Sequence, residues 1–163
     1  MGYTTDFRGS FAITPAPTPE FTKYINDFSE HRHMTRDPEK VKVLFPDWKS
    51  QCFKGELGDE CEFFVGGGGF FGQDHDESII NYNQEPRNCP GLWCQWIIEN
   101  GELRWDEGEK FYNYVDWLRY LIKNFFAPEG YTLNGVVEFQ GEDDEDRGEI
   151  TIEDNQVTIE YTN

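Results

Sequence analysis

Basic residues are scarce in this chain, which carries 14 lysines and arginines against 32 aspartates and glutamates. Its formal net charge is therefore −18 at pH 7. A surface that binds nucleic-acid phosphates needs clustered positive charge, so the sequence predicts no direct nucleic-acid binding. The same imbalance favours a basic protein as a partner, because opposite charges steer such surfaces together.

Long apolar runs are also missing from the sequence. No stretch approaches the roughly 20 residues that cross a bilayer as a helix. The N-terminal segment MGYTTDFRGS lacks the basic start and apolar core of a secretion signal. We therefore expect a cytoplasmic protein that does not contact a membrane. With 163 residues the chain has the usual size of one domain, so residues 1–163 are predicted to fold as one.

Sequence motifs of known catalysts are absent as well. The chain has only four serines, and none of them lies in a G-x-S-x-G motif. Cys52, Cys61, Cys89 and Cys94 form no C-x-x-C pair, which favours free or structural thiols over a zinc or redox site. The sequence therefore predicts no catalytic residue, no metal site and no cofactor, and it favours a protein that is not an enzyme.

Aromatic residues, by contrast, are abundant: 14 Phe, 8 Tyr and 5 Trp supply much of the area for a core. Alternating and helical patterns predict an α+β domain with a largely antiparallel sheet of about six or seven strands and two main helices. The strands are expected at residues 3–13, 62–65 and 78–82, in a hairpin within 92–105, and in a meander of 131–140, 149–153 and 157–161. The helices are expected at residues 18–33 and 109–126.

The dipeptide Asn100-Gly101 is the clearest local signal, because both central residues of a two-residue hairpin turn need positive φ. Such a turn fixes the pairing of the two flanking strands. The predicted pairs are Glu99 with Glu102, Ile98 with Leu103, and Trp96 with Trp105. One face of this hairpin should therefore be apolar and should lie in the core.

The stretch Val65 to Glu77, VGGGGFFGQDHDE, is the candidate ligand site. It lacks the lysine of a Walker loop and the helix start of a dinucleotide-binding loop. Two alternatives remain: a bulge or tight crossing, or a loop whose amides face a pocket. The pocket interpretation groups the glycines with nearby polar and aromatic residues. Its candidate ligand-binding residues are Gly67, Gly68, Gln73, Asp74, His75, Asp76, Tyr82, Asn83, Trp93 and Gln95.

Several residues have the chemistry of metal ligands without the spacing of a metal site. In an extended chain Asp74 and Asp76 point away from His75, so we expect solvated loop charges there. His31 and His33 lie near the end of the first predicted helix and are expected at the surface. None of these positions is predicted to bind a metal.

Acidic residues concentrate in the C-terminal part, where residues 99–163 hold 17 acids and 5 bases. A calcium-binding EF-hand loop that starts at Asp143 would place Arg147 at a ligand position, so that interpretation fails. Residues 142–146 are instead predicted to form an exposed hairpin tip, with a docking surface for a basic partner as the functional alternative. The candidate partner-binding residues are Glu142, Asp143, Asp144, Glu145 and Asp146.

Three segments carry a resemblance to other proteins: GGGGFFGQD, PGLWCQW and GEKFYNYVDWLRYLI. Over most of its length the chain resembles a family of small acidic proteins from bacteria and phages with no known activity. The resemblance implies an accessory protein and supplies no site residue.

Two functional hypotheses follow from the sequence. The first is an interaction or inhibitor protein whose acidic C-terminal half engages a basic partner, such as a host nuclease or a defence component. The second is a protein that binds, or processes, a small polar ligand such as a nucleotide or sugar in a pocket around residues 66–77.

Overall fold

A computed structural model describes residues 2–66 and 73–162. The chain divides into two compact units. The sheet unit comprises Met1–Thr22 and Gln95–Asn163, and the loop unit comprises Lys23–Cys94. The candidate ligand-binding residues Gly67 and Gly68 lie outside the described residues, so the proposed role of the glycine-rich stretch stays a prediction.

Strands outnumber α-helices in the described parts of the chain. The strands are β1 (Asp6–Thr14), β2 (Thr35–Arg36), β3 (Ile79–Asn81), β4 (Trp96–Glu99), β5 (Glu102–Trp105), β6 (Thr132–Gln140), β7 (Arg147–Glu153) and β8 (Gln156–Tyr161). The helices are α1 (Pro19–Ser29), α2 (Pro38–Leu44), α3 (Trp48–Gln51) and α4 (Tyr114–Leu121). The predicted α+β class is confirmed, and α2 adds a third helix of at least seven residues.

Six strands form one antiparallel sheet in the order β4-β5-β1-β6-β7-β8. Two-residue turns at Asn100-Gly101 and Asp154-Asn155 close the hairpins β4-β5 and β7-β8, and all four residues have positive φ. The predicted register of the first hairpin is confirmed, including Trp96 opposite Trp105. A pair of short strands, β2 and β3, forms a separate sheet in the loop unit.

The inner face of the large sheet holds the core of the sheet unit. Phe11, Leu133, Val137 and Ile150 are fully buried there, and Phe139 is nearly so. The alternate residues of the same strands are mostly polar, with Ala12 and Val136 as exceptions, and they are exposed or half-buried. The period-2 pattern of the sequence thus separates an apolar inner face from a polar outer face.

The helix predicted at residues 109–126 starts later than expected. Lys110 and Asn113 have positive φ, which is incompatible with a helix, and α4 begins at Tyr114. Phe111 is buried against Phe7 and Trp96, and this packing holds the preceding segment out of the helix. The end was predicted correctly, because a π-helical turn at Ile122–Phe126 continues α4 to that residue.

The loop unit contains fewer regular elements than the sequence predicted. The strand expected at residues 62–65 is wrong, because a 3₁₀ turn at Asp59–Cys61 with positive φ at Glu60 and Cys61 redirects the chain. Phe64 is fully buried beside Phe45, so core packing rather than strand pairing uses this aromatic run. None of the helices in the described parts of the chain has the length and apolarity needed to cross a membrane.

Candidate functional site

The outer face of the sheet carries a row of charged residues across four neighbouring strands. Arg8 of β1 lies opposite Glu138 of β6, Glu138 lies opposite Glu149 of β7, and Glu149 lies opposite Glu160 of β8. All four side chains are exposed. Directly opposite residues have Cβ atoms about 4.5–5.5 Å apart, so three like charges are neighbours at a cost to stability.

The hairpin between β6 and β7 is the acidic tip, residues 142–146. Residues 142–145 are exposed, as the sequence predicted for a hairpin tip. The turn is closed by backbone hydrogen bonds from the Gly141 amide to the Asp146 carbonyl at 2.7 Å and from the Asp146 amide to the Asp143 carbonyl at 3.0 Å. The tip is therefore an ordered turn.

Two residues near the N-terminus hold the acidic tip in place. The Tyr3 hydroxyl donates to Asp146 Oδ2 at 2.7 Å and accepts a hydrogen bond from the Asp143 amide at 3.0 Å. The amide of Thr4 donates to the Glu142 carboxylate. The hydrogen bond from the Asp143 amide lowers the pKa of the Tyr3 hydroxyl, but the Asp146 carboxylate, desolvation and the charge of Asp143 together outweigh it, so the pKa is raised.

The five predicted partner-binding residues therefore divide into two groups. Glu142 and Asp146 bind the chain itself through Thr4 and Tyr3. The carboxylates of Asp143, Asp144 and Glu145 make no hydrogen bond or ion pair with any residue that the structure describes, and they are available to a partner. Sequence reasoning could not separate the groups, because Tyr3 lies about 140 positions away in the chain.

Two open depressions join the tip to the glutamate row. One, of about 570 Å³, is lined by residues that include Arg8, Glu138 and Glu149. The other, of about 820 Å³, is lined by residues that include Asp144 and Glu145. Gln140, Arg147 and Thr162 line both depressions. We call this surface the acidic face; it comprises the acidic tip and the exposed outer-face acids Asp6, Glu138, Glu149, Glu153 and Glu160, and it also holds two bases, Arg8 and Arg147.

Most of the residues proposed for a ligand pocket lie in the loop unit, where Arg32 contacts three of them and a fourth, His75, contacts one of these three. The rings of His75 and Tyr82 stack with centroids 4.4 Å apart and planes 14° apart. The Arg32 guanidinium lies 4.2 Å from the centre of the Tyr82 ring and 6.0 Å from that of Trp93. Arg32 also donates to the Tyr82 carbonyl and to Asn83 Oδ1 at 3.2 Å. Arg32 was missed, because no motif marks it.

Other residues of the predicted pocket have different surroundings. Asp76 forms an ion pair with Arg36 at 3.0 Å and accepts a hydrogen bond from the Ser78 amide at 2.8 Å. Burial alone would raise the pKa of Asp76, but the hydrogen bonds from Ser78 and Arg36 outweigh it and lower the pKa. Gln95 belongs to the sheet unit, where its side chain donates to the Glu109 carbonyl at 2.8 Å. Both residues therefore have structural partners.

Two further pocket candidates, Gln73 and Asp74, directly precede His75 in the chain. Asp74 is exposed and Gln73 is half-buried. The described part of the chain provides no hydrogen bond or ion pair to either side chain. Their role in ligand binding stays a prediction, as does that of the glycines before them.

The prediction that His31 and His33 lie at the surface is wrong. Both are buried, each with a relative exposure of 1%. The ring nitrogens of His33 lie 3.2 Å from the Glu62 carbonyl and 3.0 Å from the Phe28 carbonyl. Burial lowers the pKa of His33 to about 4, although these two carbonyls act in the opposite direction. The chain turns inward after α1 ends at Ser29, so these histidines form part of the loop unit's core.

The four cysteines are free thiols and all are buried. Burial raises the pKa of both Cys52 and Cys61 to about 12. Such thiols stay protonated and are poor nucleophiles. Among residues 2–66 and 73–162, no group of three or more metal-ligating side chains has the geometry of a metal site.

Comparison of the chain with models of protein families, with curated proteins and with solved structures gives no significant match.

Proposed function

We propose that this protein is a non-enzymatic interaction protein that uses its acidic face to engage a basic surface on a partner protein. The observation that carries the proposal is the row Glu138, Glu149 and Glu160, three exposed carboxylates on adjacent strands. Like charges in directly opposite positions destabilise a sheet. A partner that supplies positive charge would relieve this repulsion, so the row favours binding over the free state.

The acidic tip supports the same function. Asp143, Asp144 and Glu145 extend the negative charge of the row and are held on an ordered turn rather than on a free loop. Ordering the charges before binding reduces the entropy lost in the complex. The natural partner class is a protein with a basic surface, and proteins that bind nucleic-acid phosphates have such surfaces.

The test is capture of partners from a lysate of the host cell by the immobilised chain at rising salt concentration. The charge-reduced variant carries Glu138→Gln, Glu149→Gln and Glu160→Gln. A matched control, Glu30→Gln, Glu56→Gln and Glu77→Gln, removes the same charge from exposed positions of the loop unit. Because exposed charge pairs are screened by salt, we expect capture to fall as salt rises and to be weakened by the first variant only.

Competition identifies the chemistry of the captured partner. Double-stranded DNA added to the lysate should displace a partner whose basic surface normally binds phosphates. No capture at low salt, or equal capture by the charge-reduced variant and its control, would contradict the proposed function.

A second candidate function rests on the cluster around Arg32. The stack of His75 on Tyr82, with Arg32 above the same ring, presents aromatic and hydrogen-bonding groups of the kind that bind nucleotides or sugars. A thermal-shift screen with nucleotides, sugars and divalent ions tests this function. We expect a true ligand to raise the melting midpoint of the wild type and not of Tyr82→Ala. A screen without any shift would remove this candidate.

A further inference from the structure

Strand β8 forms one edge of the six-stranded sheet. The Thr162 amide donates to the carbonyl of Arg147, directly opposite, at 2.9 Å. Hydrogen-bonded and non-hydrogen-bonded pairs alternate along an antiparallel ladder. The peptide groups of Val157, Ile159 and Tyr161 therefore point away from β7 and form the outer edge of the sheet.

One end of this edge already has a partner in the chain. The guanidinium of Arg119 in α4 donates to the Val157 carbonyl at 3.1 Å. No strand among residues 2–66 and 73–162 pairs with the outer peptide groups of Ile159 and Tyr161. Of these two residues, Tyr161 is the more exposed, at 61% of its surface.

The sequence of β8 has only one of the usual protections of an exposed edge, the charged side chain of Glu160. Natural edge strands commonly carry proline, lysine or a bulge, each of which hinders the addition of another strand. The β8 sequence, QVTIEY, has no proline or lysine, and its register with β7 is continuous. The backbone of β8 is therefore in a conformation that can pair with a further strand.

The charges beside this edge determine what kind of strand fits. Glu160 lies on the outer face of β8, opposite Glu149, and the larger depression at Tyr161 is also lined by Asp144, Glu145 and Arg147. Three acids therefore face one base beside this edge. An added strand would place alternate side chains beside these carboxylates, where Lys or Arg are favoured. Pairing of β8 with a second copy of this chain would instead bring further glutamates to the same edge.

We propose that β8 accepts an extended basic segment of a partner protein as a seventh strand of the sheet. Ile159 and Tyr161 supply the backbone hydrogen bonds, and Glu160 with the acidic tip selects basic side chains. This mode of recognition combines affinity from the backbone with specificity from alternate side chains. The inference rests on the proposed function, because it specifies how the acidic face holds its partner.

The test uses a short acetylated and amidated peptide that alternates lysine and valine, titrated against the full chain by calorimetry. A matched peptide carries N-methyl groups on alternate backbone amides and keeps the same charge. Because N-methylation removes donors on one side of the strand, we expect about tenfold weaker binding, equivalent to one or two hydrogen bonds. Amide hydrogen exchange at Ile159 and Tyr161 should slow when the unmodified peptide binds.

A variant of the chain tests the same contact from the other side. Ile159→Pro removes an amide that points outward, so the ladder to β7 keeps its hydrogen bonds. We expect this variant to bind the unmodified peptide about tenfold more weakly, whereas Ile159→Val should bind it normally. Glu160→Gln should weaken the binding of both peptides by the same factor and should reduce the salt dependence of that binding.

The outcomes separate this inference from the proposed function. Equal binding of the two peptides together with sensitivity to Glu160→Gln would overturn strand addition and leave charge-based binding standing. If Glu160→Gln left the binding of both peptides unchanged, this result would contradict the charge-based function itself. Self-association of the wild-type chain that Ile159→Pro abolishes would identify a second copy as the occupant, and this too would overturn the proposal.

Discussion

The sheet unit and the loop unit differ in how they use their polar residues. Among the described residues, the loop unit contains six of the seven buried polar or charged ones: Ser29, His31, His33, Arg36, Glu62 and Ser78. The sheet unit has an apolar core, and none of its charged residues that the structure describes is buried. Buried polar residues therefore belong to the core of the loop unit, whereas the proposed binding surface of the sheet unit is built from exposed strand and turn residues.

Of the changes proposed here, removal of Arg36 should have the largest effect on the stability of the loop unit, and it should destabilise that unit more than the sheet unit. Arg36→Ala leaves the partly exposed Asp76 carboxylate without its cation, so we expect a cost of about 3 kcal/mol, at the lower end of the range for breaking a buried ion pair. We expect residues 23–94 to lose hydrogen-exchange protection while the sheet keeps it. The matched variant Phe11→Ala, which costs about 3–5 kcal/mol by emptying core volume, should instead expose the sheet. If either variant removed hydrogen-exchange protection from both units, the two units would not be independent, and residues 1–163 would behave as a single domain.

The pH dependence of stability should also come from the loop unit. The pKa of His33 is about 4 in the folded protein, below its ordinary value of about 6.5. The folded state therefore resists protonation, so the stabilisation from neutral His33 is complete above pH 6.5 and is lost as the pH falls towards 4. The loss can reach about 3 kcal/mol. Urea unfolding at several pH values checks this, and His33→Gln should flatten the slope in that window.

Neutralising Glu149, the central residue of the glutamate row, should change the stability of the sheet unit by a smaller amount. Glu149→Gln removes two like-charge pairs, so we expect stability to rise by about 0.5 kcal/mol. Glu153→Gln makes the same charge change on the same face opposite the uncharged Gln156 and should leave stability nearly unchanged. Chemical denaturation measures both variants. A loss of stability in Glu149→Gln would show that its carboxylate has a structural role.

The smallest expected signal is the chemical labelling of Cys52 and Cys61 in the folded chain. Because Cys52 and Cys61 are buried and their pKa values are raised to about 12, neither should react with iodoacetamide at neutral pH in the folded chain. Mass spectrometry should detect labelling only when the loop unit unfolds, for example in Arg36→Ala. Rapid labelling of the folded wild type would contradict the burial of these thiols.

The parts of the fold that could be predicted are those with local determinants. The turn Asn100-Gly101 sets the register of its hairpin through backbone conformation alone, and Asp154-Asn155 marks the next such turn. The placement of β1 between β5 and β6 depends on contacts between distant segments, for which the sequence has no local signal. The late start of α4 likewise depends on the burial of Phe111 in the core.

The candidate site shows the same division. The exposure of residues 142–145 followed from composition, because five consecutive acids cannot form a core. The glutamate row could not be found from the sequence, since Glu138, Glu149 and Glu160 become neighbours only through the pairing of three strands. Arg32 and Arg36 were missed for a similar reason: their partners come from segments about 40 to 60 positions later in the chain.

The attachment of the acidic tip to Tyr3 and Thr4 has a consequence for the timing of folding. These contacts join positions about 140 residues apart, so they can form only after β6 and β7 have been synthesised, β6 has paired with β1 and β7 has paired with β6. A growing chain at the ribosome therefore cannot present the tip in its final geometry. Under the proposed function, an incomplete or misfolded copy would compete poorly for the partner, and partner binding would report that the sheet is complete.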